Sequence, residues 1–107
     1  MRLTSPLLCA AVLALAACHS TARKAEETTF QPTADGFVFR ARAYDSGVLG
    51  VDNPTAEAER LRWLAEYTKD NGVCPAGYAI TARHPVLKER VLGTGVMDVF
   101  YEGRCKS

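Results

Sequence analysis

The sequence predicts an α+β domain: one amphipathic helix over a small, three-stranded, largely antiparallel sheet, in the order β-α-β-β. Two observations carry this. A helical apolar period with start and stop residues runs from Asn53 to Gly72, and three strand-like segments flank it at 37–44, 78–83 and 96–104. The chain is 107 residues long, enough for one small domain once an N-terminal apolar leader is set aside. Strand order does not follow from the pattern.

The first strand opens at the turn signal Asp35-Gly36. In Phe37-Val38-Phe39-Arg40-Ala41-Arg42-Ala43-Tyr44, residues 37, 39, 41 and 43 share one face and are expected in the core. Val38, Arg40, Arg42 and Tyr44 share the other face, and Asp45-Ser46-Gly47 ends the strand.

The helix starts at Asp52-Asn53-Pro54. Asn53 can cap, and proline loses nothing at the first helical position. Glu57 and Glu59 sit near the positive end of the helix dipole. At 100° per residue, the angle of the α-helix, Ala58, Leu61, Leu64, Ala65 and Thr68 form the expected apolar stripe. Glu59, Arg62, Glu66 and Lys69 form the opposite face. Trp63 and Tyr67 lie one turn apart and widen the apolar arc. Asn71-Gly72 supplies a left-handed stop.

Tyr78-Ala79-Ile80-Thr81-Ala82-Arg83 reads as the second strand. His84 to Gly95 reads as a long connection holding Pro85, Gly93 and Gly95, with Val86-Leu87 and Val91-Leu92 expected to pack back onto the domain. Val96 to Arg104 reads as the third strand, with Met97, Val99 and Tyr101 on one side.

The N-terminus carries a different signal. Arg2 is a positive n-region, and Leu7 to Ala17 is an uncharged Leu/Ala/Val run. About eleven apolar residues are too few to span a bilayer core, which needs roughly 20, so the run fits a cleaved signal peptide. It ends in Leu15-Ala16-Ala17-Cys18, which resembles the lipobox of bacterial lipoprotein precursors. That resemblance implies cleavage between Ala17 and Cys18 and acylation of Cys18 with palmitate-type chains. It also implies a cell-envelope location held by membrane lipid. Two or three acyl chains make such an anchor effectively permanent. His19 follows the cysteine where enterobacterial lipoproteins kept in the inner membrane carry Asp, so the resemblance favours the outer membrane, periplasmic face. The expected organisation is thus a signal peptide at 1–17, a lipidated cysteine and flexible tether at 18–34, and a periplasmic domain at 35–107. In the tether, Phe30 is the lone large apolar residue among polar ones.

With Cys9 in the leader and Cys18 acylated, Cys74 and Cys105 remain. An export signal places them in an oxidising compartment, where they are expected to form a disulfide that closes the domain. A metal site at this pair would need further ligands, with His84 the nearest imidazole, and no C-x-x-C redox pair exists. No cofactor or metal motif is present.

Thirteen Lys and Arg stand against twelve Asp and Glu, and Arg2 lies in the leader, so the remaining chain is close to neutral. A nucleic-acid binder would carry a basic excess. Asp45, Ser46 and His84 supply the letters of a serine triad without the G-x-S-x-G elbow. Asp98 and Glu102 are four strand positions apart, about 13 Å, too far for glycosidase chemistry. Trp63 and Tyr67 form one candidate binding surface. Arg40 and Arg42 form another, suited to an anionic group.

Beyond the lipobox, the Trp63 helix, Cys74-Pro75-Ala76-Gly77-Tyr78 and Tyr101-Glu102-Gly103-Arg104-Cys105 have the general look of small proteobacterial lipoproteins. That look implies no activity. The expectation is a non-enzymatic binding module with an envelope protein or cell-wall component as partner. The alternatives are a small envelope hydrolase using Ser46 or the acidic strand residues, and an immunity or structural lipoprotein.

Overall fold

The structure is a computed structural model and describes residues 22–107. The leader, the lipobox and Cys18 lie outside the described residues. The elements are β1 (Thr28–Pro32), β2 (Gly36–Tyr44), α1 (Pro54–Asp70), β3 (Tyr78–Val91) and β4 (Thr94–Cys105). Residues 22–27 are helical. The fold is α+β with one main helix, as the pattern predicts, but the sheet has four strands rather than three. Its order is β1-β2-β4-β3 and every neighbouring pair is antiparallel.

The core is built as the alternation in β2 requires. Phe37, Phe39, Ala41 and Ala43 are buried on one face. Val99 and Tyr101 of β4 pair with Ala41 and Phe39 and share that face. Trp63 and Leu64 of α1, with Val51 and Cys74 from the flanking loops, close over them. The Phe37 ring lies on the backbone of Gly103, where an added Cβ would stand 2.0 Å from the ring. Only glycine permits that approach.

The helix ends follow local chemistry. Asn53 Oδ1 accepts from the Ala56 N–H at 3.0 Å, and Pro54 takes the first turn. At the far end Gly72 has φ +63, the Val73 N–H donates to Thr68 O and the Gly72 N–H to Lys69 O. This is a Schellman stop. Cys74 and Cys105 are bridged and tie the loop after α1 to the end of β4.

Three expectations are corrected. First, much of the expected tether is folded. Phe30 stacks on Tyr67 at 5.5 Å and packs on Phe37 at 5.6 Å, which half-buries the one large apolar side chain of β1. Arg23 and Lys24 of the segment at 22–27 pair with Glu59 and Glu66 of α1 at 2.7 and 2.8 Å. The polar composition of this stretch therefore reflects charges met by the helix.

Second, the buried face of α1 is rotated. Ala56, Arg60, Trp63, Leu64 and Thr68 are buried, whereas Ala58 and Ala65 are exposed. An indole removes more area from water than an alanine methyl, so Trp63 turns inward. Arg60 follows because loop carbonyls wait for it.

Third, the connection at 84–95 is the outer part of a β3–β4 hairpin. β3 is fourteen residues long and its register with β4 continues to Val91↔Thr94, with irregularities between Ile80 and Ala82 and between Leu87 and Glu89. Its apolar side chains do not pack back. Val86, Leu87, Val91 and Leu92 stay exposed, because α1 covers β2 and β4 but not this edge.

Candidate functional site

Two features stand out from the residues upward: a closed polar knot beside the core, and an open apolar hairpin.

The knot centres on Glu57 in the first turn of α1. Its carboxylate accepts from Tyr101 Oη at 2.9 Å to both oxygens, from Arg60 Nη2 at 3.0 Å and from Arg83 Nη2 at 3.1 Å. Arg60 Nη2 also donates to the carbonyls of Gly50 and Val51, and Arg83 Nη2 to that of Val51. The Arg60 side chain is only 4% exposed, so its charge depends on these partners.

Burial pushes the Glu57 carboxyl upward, but the donors Arg83, Tyr101 and Arg60 outweigh it and hold the group below its ordinary value. Burial and the hydrogen bond to Glu57 raise Tyr101. Both Glu57 oxygens are engaged by other members of the knot, and the arrangement pins the 45–53 loop to helix and sheet.

The predicted candidates fall out as follows. Trp63 is 2% exposed and belongs to the core. Arg23 lies over its ring at 5.1 Å and Lys24 over that of Tyr67 at 4.4 Å, so the chain's own segment at 22–27 covers this aromatic pair. Arg40 is engaged by Asp98 at 2.9 Å. Arg42 is half-buried beside Tyr44, Arg23 and Trp63. The two arginines therefore present no paired anion site.

Ser46 Oγ lies 3.5 Å from Asp45 Oδ1, but His84 stands by Glu102 at 3.7 Å on another part of the sheet. Asp45 neighbours Gly95 and His84 pairs with Phe100, five positions further along β4. The triad letters are not brought together. Among the described residues, no group of three or more His, Cys, Asp or Glu side chains is placed to hold a metal ion.

The hairpin is the feature the sequence reading missed. β3 forms one edge of the sheet, and Val86, Leu87 and Val91 are each about half exposed. The connection to β4 is the two-residue turn Leu92-Gly93, with φ +50 and +82. Such a turn favours Asn-Gly. Leucine in the left-handed region carries strain, and here its side chain is 101% exposed. No packing in the described residues repays either cost. In the neighbouring loop Val48 is 82% exposed. The backbone itself is guarded against strand addition. Pro85 carries no N–H, and the two irregularities break the regularity of the strand, devices that disfavour strand addition.

No family model, curated protein or solved structure matches the chain.

Proposed function

We propose that the chain is a lipid-anchored envelope protein, fixed at the outer membrane by acylated Cys18, whose domain works as a non-enzymatic contact module through the β3–β4 hairpin. The observation that carries this reading is the strained and fully exposed Leu92 at the end of an apolar edge strand. Backbone strain combined with solvent-exposed leucine costs stability and is kept where a contact uses it. The Cys74–Cys105 bridge supports an oxidising compartment, in keeping with export.

Intact mass measurement of the protein extracted from membranes, under reducing and non-reducing conditions, tests this reading. The expected species begins at Cys18, carries acyl chains there and shows one bridge that opens on reduction. A chain with unmodified Cys18 and its leader retained would overturn it.

A further inference from the structure

The pole of the sheet that holds the hairpin tip is also the pole from which the chain leaves toward Cys18. β1 begins at Thr28 opposite Ala41, near the Tyr44 end of β2. From there the helical segment at 22–27 runs back along α1 toward its N-terminal half. Lys24 meets Glu66, and Arg23 meets Glu59. Arg23 also borders the same small void as Tyr44, Leu49 and Ala56. Tyr44 pairs with Val96 at the base of the hairpin, and the tip lies about three residues beyond, roughly 10 Å.

Chain length then sets a limit. Four residue steps separate Cys18 from Ala22, a reach of at most about 14 Å. A domain anchored at Cys18 is therefore held within about that reach of the bilayer, with this pole the nearest part of the sheet.

The pole is dressed for lipid contact. Val48 and Leu92 are the most exposed apolar side chains of the described residues, and they crown adjacent loops. The two loops are tied together: the Gly95 N–H donates to Asp45 Oδ2 at 3.0 Å, and the Asp45 N–H to Gly95 O. Val91 and Leu87 lie behind Leu92, and Lys88 and Arg90 alternate with them along β3. Of the acidic groups here, Asp45 is met by the Gly95 N–H and by Arg90 at 3.6 Å, while Glu89 and Asp52 are exposed. At the opposite end of the sheet, among the described residues, Ile80 is the only large apolar side chain that is exposed. Lys88 and Arg90 are matched by Asp45, Glu89 and Asp52, so the pole carries no basic excess, and its fit to a bilayer rests on the apolar tips, which suit the headgroup–acyl boundary.

We propose that Leu92 and Val48 dip into the headgroup–acyl boundary of the leaflet that holds the anchor. The proposal rests on acylation of Cys18. It adds that the domain, and not the acyl chains alone, touches lipid.

The test uses the acylated full-length product carrying Leu92→Trp or Val48→Trp, reconstituted into vesicles of phosphatidylethanolamine and phosphatidylglycerol with brominated acyl chains. The expected result is loss of most of the added tryptophan emission, with the Trp63 background unchanged. Emission that stays unquenched and open to a water-soluble quencher, in protein whose mass shows an acylated Cys18, overturns the lipid contact and leaves the anchor standing. Shielding from the aqueous quencher without quenching by brominated lipid also overturns it, since a protein would then cover the tip. An unmodified Cys18 removes the anchor and the proposal with it. Both substitutions fall at exposed loop tips, outside the core.

Discussion

β2 and β3 belong to one sheet and are separated only by β4, yet one is spent on the core and the other on solvent. In β2 every second side chain is buried, and the glycine opposite Phe37 lets an aromatic ring lie on bare backbone. In β3 twelve of the fourteen residues are exposed, and the strand ends in a turn that leucine fits poorly. Stability does not ask for a strand like β3 at this edge. The difference separates the part of the molecule that holds its shape from the part available for contact.

Substitutions that strike the first part should break the fold without regard to any surface. Trp63→Ala is expected to cost about 3–5 kcal/mol in chemical denaturation, as for other buried aromatics. Removing the bridge with Cys74→Ser and Cys105→Ser together should cost roughly 3–4 kcal/mol, since it frees a loop with a sequence separation of 31 residues. Glu57→Gln leaves the Arg60 charge without its buried counter-ion and should cost about 2 kcal/mol.

The same residue sets an acid limit. The folded pKa of Glu57 is depressed, so its contribution is present above the unfolded carboxyl value, about 4.3, and is lost as pH falls through the folded value. Thermal unfolding of the wild type should decline across that window. Glu57→Gln should flatten the decline.

The second part predicts the reverse sign. Leu92→Asn suits the left-handed turn and should raise stability by about 0.5–1 kcal/mol while weakening lipid contact. Val86→Ser, on the solvent side of β3, should change stability by less than about 0.5 kcal/mol. A loss of stability at Leu92 comparable to that at Trp63 would erase the distinction between the two strands.

What the sequence revealed, and what it hid, divides along the same line. The limits of α1 were legible because Asn53, Pro54, Asn71 and Gly72 act through their own backbone neighbourhood. β2 was legible because one buried face imposes strict alternation. The Cys74–Cys105 disulfide followed from counting cysteines once Cys9 and Cys18 were set aside with the expected leader and anchor. β1 was hidden because Thr28-Thr29-Phe30-Gln31-Pro32 has a single large apolar residue, half-buried against Tyr67 and Phe37 from elsewhere in the chain. The orientation of α1 was hidden because Arg60 is buried by carbonyls of a loop. The outer half of β3 was hidden because an edge with no buried face has no periodic pattern to show. Of the candidate site, nothing was legible in the sequence pattern. Its position depends on which edge of the sheet α1 leaves uncovered.

The most direct test is hydrogen exchange on the acylated protein, compared between detergent solution and phosphatidylglycerol-containing vesicles. Slower exchange in vesicles should appear at residues 46–49 and 86–94, while β2 and α1 keep the protection they have in detergent. Unchanged exchange at the hairpin, or new protection centred on Arg40 and Arg42 instead, would contradict the account.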